Sequence, residues 1–227
     1  MAPEALASAK VHAQALARKP SFDRFKMDSA MPGETKVNPG SQFWHSLKIE
    51  EMLKDIPYLL DLINEGRAVL MHYGERSSSC VHKARISGLD IEDIYRILIV
   101  EDRQYCKFGI VTNGKGEIDL EMLFSTFGEE HGFFSSSKSV RLAKEPIAGM
   151  EWGTCTPCLG THNIDELTFV VFDDPEIVSP SRIVDISIGG KGEIAHRLSA
   201  RIRYGDIIGQ VSLLGDSKVL VREIPRK

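Results

Sequence analysis

The sequence predicts a mixed α/β domain in which short helices alternate with many strands. Between residues 46 and 65, apolar residues recur at three- and four-residue intervals, which is the spacing of amphipathic helices. Apolar runs typical of buried strands follow at residues 94–100, 168–172 and 183–188. Turns that contain glycine separate these segments and no internal repeat is present, which supports a single mixed α/β domain.

The composition is that of a globular protein, and it limits the classes of function. The 227 residues are 42% hydrophobic and 26% charged, which argues against disorder throughout the chain. Lys and Arg number 28 against 32 Asp and Glu, a net charge of −4, so a nucleic acid would have to bind a local basic patch. No stretch is long and apolar enough to span a membrane, and the four cysteines are too few for a disulfide framework. We therefore expect a cytoplasmic protein without a membrane partner.

Residues 1–45 differ from the remainder, and we expect them to form an extension to a domain at residues 46–227. Residues 3–19 are rich in alanine and predict a short helix, whereas prolines and glycines break the segment that follows. The extension is expected to be partly disordered or partly helical. Its small excess of basic residues suits a solvated or partner-packed arm, a contact with an RNA backbone, or an organelle import signal.

The domain begins with one or two helices, a strand and a capped helix. The helical pattern at residues 46–65 is broken near Pro57. Residues 68–73 predict a strand, and the serines at residues 77–79 offer N-caps for a helix that ends at Gly88.

The middle of the chain predicts a hairpin, a helix and a short strand. Residues 94–100 and 105–112 predict two strands that pair across a short turn. Asp119 is suited to cap a helix that runs to Phe127, and residues 139–142 predict a further strand.

An irregular segment and more strands complete the domain. Residues 146–157 are irregular, and residues 168–172 and 183–188 are the clearest strands after them. Ser199 is a candidate cap for another helix, and residues 211–221 predict terminal strands.

The most informative segment is GMEWGTCTPCLG at residues 149–160. Glycines let the backbone approach a ligand, and the small residues between Gly153 and Pro157 leave amide N–H groups free to bind an anion or a carbonyl oxygen. By itself this pattern also fits a surface turn. The segment resembles the G-x-x-x-P loop of the YbaK family, the aminoacyl-tRNA deacylase domain that is also inserted in bacterial prolyl-tRNA synthetases.

The resemblance covers roughly residues 68–205 and includes several motifs in the same order. These motifs are the segments at residues 79–100, 116–123, 139–143, 149–160 and 182–192. In that order they are similar to the family's early helix and following strand, its next helix start, its approach to the ligand loop, the ligand loop itself, and its late strand with a glycine turn. The resemblance implies a curved, partly barrel-like mixed β-sheet flanked by helices.

The same resemblance implies hydrolysis of the ester that joins an amino acid to the terminal ribose of a mischarged tRNA, with no metal and no cofactor. The implied partners are the tRNA 3′ end and an aminoacyl-tRNA synthetase. Arg96 and Gly153 lie at the positions of the implied catalytic residues. The implied substrate-binding residues are Thr154, Cys155, Thr156, Pro157 and His162.

Arg96 departs from the family pattern, which places a lysine at this position. A lysine can lose its proton when buried, whereas an arginine stays charged and suits a phosphate or a carboxylate. Two hypotheses therefore remain open: an editing hydrolase that relies on bound water and the substrate, or a catalytically inactive relative that binds tRNA or a protein. The alternative to both is a purely structural strand arginine whose head group is solvated or paired with Glu92.

Cys155 and Cys158 form a C-x-x-C motif, a spacing that also occurs in redox and metal sites. A zinc site would need a second pair, which Cys80 and Cys106 do not form in the sequence. A thiol-redox function would require the two thiols to be exposed and acidic.

Two further features suggest contacts with RNA. Trp152, between two glycines, could stack on a base or pack under the loop. Arg197, Arg201 and Arg203, near a predicted helix, could form a local basic patch together with Arg141 and Lys144. The alternative is a solvated face balanced by Asp206 and Glu193.

Overall fold

The computed structural model describes residues 30, 33–131, 140–174, 179–215 and 218–227. The helix predicted at residues 3–19 lies outside these residues. In the described part of the chain, no helix is long and apolar enough to cross a membrane.

The strands contributed by the described residues form one mixed sheet. They are β1 (Glu34–Val37), β2 (Val69–Tyr73), β3 (Ile94–Glu101), β4 (Lys107–Asn113), β5 (Arg141–Leu142), β6 (Leu167–Phe172), β7 (Ile183–Ser187), β8 (Leu198–Arg203) and β9 (Val219–Val221). The order across the sheet is β1-β2-β8-β7-β3-β4-β6-β9, with β5 on the end of β3. The pairs β3/β7, β4/β6 and β6/β9 are parallel, and the other pairs are antiparallel.

Helices flank this sheet. They are α1 (Gln42–Ser46), α2 (Ile49–Leu53), α3 (Pro57–Asn64), α4 (Cys80–Ser87), α5 (Leu120–His131), α6 (Thr161–Asp165) and α7 (Tyr204–Leu214). The mixed α/β class is therefore confirmed. The sheet ends at β1 and β9, which do not pair with each other among the described residues, so it is not closed into a barrel.

One face of the sheet carries the main apolar core. Fully buried residues such as Ile97, Ile186 and Ala200 pack there against side chains from α1, α2, α3, α6 and α7. A second, smaller cluster lies where Phe124 of α5 packs against Phe108 of β4, with ring centroids 5.7 Å apart. The burial of these apolar side chains is the main source of stability.

Local sequence signals predicted the ends of several helices correctly. The Oγ of Ser79 accepts a hydrogen bond from the backbone N–H of His82 at 3.0 Å and caps α4, and Gly88 ends that helix with a φ of 64°. Pro57 stands in the first turn of α3. Asp119 caps α5 through the N–H of Met122 at 2.9 Å, although the helix continues beyond residue 127 to residue 131.

Two predictions near the end of the sequence are wrong. Ser199 does not cap a helix; it lies inside β8, fully buried, and its Oγ donates to Oδ2 of Asp185 at 2.8 Å. Val211 belongs to α7, so only Val219–Val221 forms a terminal strand. For Ser199, a distant tertiary partner and not the local sequence decides the conformation.

Part of the expected extension contributes to the domain. Strand β1 pairs with β2 in antiparallel register, and Trp44 of α1 is 1% exposed within the main core. Packing therefore begins before residue 46, where we expected the domain to start.

We expect Trp44→Ala to lower the free energy of unfolding by about 3–5 kcal/mol, because it empties a large buried site. The chain has two tryptophans, and Trp152→Ala is the matched control, since Trp152 is 45% exposed. The decrease in the free energy of unfolding caused by Trp152→Ala should stay below about 1 kcal/mol. Urea unfolding followed by circular dichroism measures both values, and equal losses would contradict the placement of α1 in the core.

Candidate functional site

A cleft of about 190 Å³ opens on the sheet face opposite the main core. Its wall is built from the turn at residues 77–79 with the start of α4, from residues 94–98 of β3, from Trp152, Gly153 and Cys155 of the loop that follows β5, and from the end of β7. These segments are far apart in the sequence, so the cleft is a product of the tertiary fold.

The register of the sheet determines which side chains reach this face. Paired residues of neighbouring strands point to the same side, and successive residues alternate. Ile94 of β3 pairs with Asp185 of β7, so Arg96, two residues further along β3, shares the face of Asp185. Asp185 also pairs with Arg201 of β8, which brings a third charged side chain to the same side.

Two buried threonines stabilise the conformation of the loop at residues 149–160. The Oγ1 of Thr154 donates to the carbonyl oxygen of Gly190 at 2.7 Å, and the Oγ1 of Thr156 accepts from the N–H of Cys158 at 3.1 Å. Both threonines are fully buried. The upper part of the loop, with Trp152 and Gly153, remains exposed and borders the cleft.

Gly153 has a backbone conformation that favours glycine. Its φ is 91°, and a Cβ added there would lie 3.4 Å from Cε1 of His196. His196 itself is nearly buried, and its Nε2 lies 3.3 Å from Oε2 of Glu151 and 3.2 Å from Nη2 of Arg76. These contacts fix the loop against the turn that precedes α4, at the mouth of the cleft.

The structure brings together only some of the residues expected to form the site. Arg96, Gly153 and Cys155 line the same cleft. The buried residues Thr154, Thr156 and Pro157 are not part of its described wall, and His162 is exposed on α6, outside that wall. A role of these four in substrate binding stays a prediction.

Arg96 has the surroundings expected of a group that meets a ligand. Its side chain is half-buried. Among the described residues, no carboxylate pairs with this side chain, and its buried Nε has no hydrogen-bond partner. The alternative pairing with Glu92 is not found, because Glu92 lies 2.5 Å from Nζ of Lys115 and 3.8 Å from Nη2 of Arg182.

Sequence reasoning missed Lys83, which also lines the cleft. Its Nζ lies 2.5 Å from Oδ1 of Asp185, and the exposed fractions of the two residues are 5% and 0%. One signal was present in the sequence: Asp185 is a single acid inside an apolar strand, and a buried carboxylate requires a partner.

The two cysteines of the C-x-x-C motif are poorly suited to redox chemistry. Burial raises the pKa of the Cys155 thiol to about 11 and also raises the pKa of the fully buried Cys158 thiol. A reactive thiol needs a lowered pKa and exposure. Among the described residues there is also no group of three or more His, Cys, Asp or Glu that could hold a metal.

The three arginines expected as a basic patch do not form one. Arg201 and Arg203 lie inside β8 and are 1% and 5% exposed. Both oxygens of Glu34 accept from Nη2 of Arg201 at 2.8 Å. Arg197 forms an ion pair with Glu193 at 2.8 Å, so the positive charge available at the cleft comes from other residues.

Comparison with known proteins supports the fold. No family model matches the chain, and no curated protein matches it. A structure from work on epitope backbone grafting onto scaffold proteins by computational design has 12% identity and a TM-score of 0.52, covering 78% of this chain and 97% of its own. A candidate trans-editing enzyme for prolyl tRNA synthetase has 14% identity and a TM-score of 0.52, covering 80% of this chain and 98% of its own. At these identities the likeness concerns the fold alone.

We expect iodoacetamide to label Cys155 and Cys158 far more slowly than the half-buried Cys80 and Cys106 in the folded protein at pH 8. With a pKa of about 11, only about one Cys155 thiol in a thousand is ionised at pH 8. Its labelling rate should rise with pH. Peptide mass spectrometry measures the four rates, with urea-unfolded protein as the control, and fast labelling of both loop cysteines in folded protein would restore the redox hypothesis.

Proposed function

We propose that this protein is a trans-editing hydrolase that deacylates mischarged aminoacyl-tRNA. One observation carries the proposal: Arg96 and Gly153, which belong to two separate motifs of the resemblance to the YbaK family, line one cleft. A structure with the same fold is a candidate trans-editing enzyme for prolyl tRNA synthetase, and this supports the same assignment.

The size of the cleft suits a small acyl group. Pockets for drug-sized ligands measure about 300–1,000 Å³, whereas this cleft measures about 190 Å³. The ester end of an aminoacyl-tRNA with a small side chain is a ligand of suitable size. Alanine, serine, cysteine and proline are therefore the amino acids to test first.

The reaction needs positioning more than a strong base. Water attacks the ester carbonyl carbon, the bond from this carbon to the ribose oxygen breaks, and the ribose oxygen gains the proton that water loses. Arg96 cannot accept a proton at neutral pH, so the proton passes through water or the neighbouring ribose hydroxyl. The backbone at Gly153 approaches the carbonyl closely, and Arg96 carries a charge suited to the phosphodiester at the tRNA 3′ end.

Trp152 offers a contact for the terminal adenine. Its side chain is exposed at the mouth of the cleft, beside Gly153. Stacking of a base on an aromatic ring is sequence-tolerant and contributes about 1–3 kcal/mol. A chain with a net charge of −4 would gain part of its affinity for tRNA in this way.

The partners and location follow from the proposed reaction. The substrate is the tRNA 3′ end with its amino acid, and an aminoacyl-tRNA synthetase is the natural source of that substrate. We place this activity in the cytoplasm.

A second candidate function is a catalytically inactive relative that binds tRNA or a protein partner. The observation in its favour is Arg96, an arginine where the YbaK family has a lysine. An arginine keeps the positive charge for binding but removes the option of a neutral amine as a base.

We expect the wild-type protein to hydrolyse one or two members of a panel of tRNAs charged with alanine, serine, cysteine or proline. Gly153→Ala should reduce this rate about tenfold or more, because it changes the backbone that holds the carbonyl. Gly149→Ala is the matched control, since Gly149 has a φ of 82° and lies outside the cleft wall. Both substitutions carry the same backbone strain, but the control should keep the wild-type rate within about twofold.

Hydrolysis of no member of the panel, with tRNA binding intact, would contradict the editing proposal and favour the inactive relative. A Gly153→Ala rate equal to the rates of both the wild type and Gly149→Ala would show that the backbone at Gly153 takes no part in the reaction.

We expect Arg96→Gln to lower kcat/KM for the best substrate about 100-fold and Arg96→Lys to keep most of it, because a lysine preserves the charge. Arg85→Gln on α4 is the control, since its side chain is 70% exposed and lies outside the cleft wall. If Arg96 binds a phosphodiester, Arg96→Gln should reduce the slope of log affinity against log salt by about 0.7. An unchanged slope and rate would remove Arg96 from the site.

A further inference from the structure

Lys83 is a buried cation at the edge of the cleft, and the resemblance assigns it no role. It projects from α4 onto the polar part of the sheet face, where its Nζ lies 2.5 Å from Oδ1 of Asp185. Lys83 is 5% exposed, yet it forms part of the cleft wall. Lys83 therefore borders the cleft, while its Nζ is paired with a buried carboxylate behind the cleft wall.

Asp185 is held in place by groups from other strands. Its Oδ2 accepts hydrogen bonds from the hydroxyl of Tyr73 at 3.0 Å and from Oγ of Ser199 at 2.8 Å. Nε of Arg201 lies 3.8 Å from the same oxygen. With these contacts the carboxylate has little freedom to turn, so it can orient the Lys83 ammonium group.

The charged side chains in the cleft wall are all positive. Two cationic side chains, Lys83 and Arg96, belong to this wall, and no carboxylate is among its described residues. Asp185 lies behind Lys83 and is fully buried. A ligand in the cleft therefore meets the two cations, and an oxygen that carries negative charge is the complementary group.

The ammonium group of Lys83 has unused hydrogen-bond donors. It carries three N–H groups, and Asp185 is its one partner among the described residues. A buried ion pair rarely stabilises a protein more than well-packed apolar residues would. Stability alone is therefore a poor explanation for a lysine at this place.

We infer that Lys83 donates a hydrogen bond to the ester carbonyl oxygen of the bound aminoacyl group and stabilises the negative charge that develops there when water attacks. This inference rests on the proposed function. Asp185 is the positioning residue, which acts through Lys83. Arg96 then remains available for the phosphodiester at the tRNA 3′ end.

The test compares kcat and KM of four variants with the wild type, using the charged tRNA that the wild type hydrolyses best. Lys83→Met removes the ammonium group, and Lys83→Met with Asp185→Asn also removes the carboxylate charge that the first change leaves unpaired. Lys83→Arg restores a donor. Arg85→Met removes a cation from the exposed side of the same helix and serves as the control. Urea unfolding confirms that each variant is folded.

We expect Lys83→Met to lower kcat about 100-fold with KM changed less than about threefold, which is the signature of a lost oxyanion contact. The double variant should be as slow, although its unfolding midpoint returns towards that of the wild type. Lys83→Arg should recover part of kcat, and Arg85→Met should stay within about twofold of the wild type.

A folded double variant with kcat within threefold of the wild type would show that Lys83 is only structural, and it would overturn this inference while the proposed function stands. If the wild type hydrolyses none of the charged tRNAs, the proposed function fails, and this inference fails with it.

Discussion

One buried carboxylate, Asp185, organises the polar part of the sheet. It is fully buried and meets Lys83 from α4, Tyr73 from β2, and Ser199 and Arg201 from β8. A buried charge without such partners is costly, so these contacts must form together. A shift of one residue in the register of β7 would turn Asp185 into the apolar core. The network therefore favours a single alignment of the strands beneath the cleft.

The cleft is a consequence of how the two sheet faces are used. One face carries the main apolar core and is covered by helices, whereas the other carries an apolar cluster under α5 and a polar region under α4. Lys83 of α4 pairs with Asp185 of β7, and the N-terminal end of α4 lines the cleft together with β3. The loop with Gly153 closes the opposite wall, because Thr154 ties it to Gly190.

The sequence predicted the features that depend on local signals. Ser79 and Gly88 mark the ends of α4 correctly because a cap needs only its own neighbours. The hairpin of β3 and β4 was predicted for the same reason. Ser199 was misread and Lys83 was missed, because the partner of both, Asp185, comes from another strand. A hydroxyl or an ammonium group has no local sequence pattern that reveals such a partner. The resemblance placed Arg96 and Gly153 in one region, but it said nothing of the charge network behind them.

The strand order also determines how late in synthesis the sheet can be completed. Strands β2 and β3 are made early, but their neighbours in the centre of the sheet are β8 and β7, which come from the last part of the chain. Pairing strands that are so distant in sequence slows folding, since a long loop must close before its contacts form. On a ribosome, a chain that has emerged as far as α5 would still lack Asp185, Ser187 and all of β8. We therefore expect a nascent chain to expose the unfinished polar face until β8 docks, and chaperones to be most relevant in that interval.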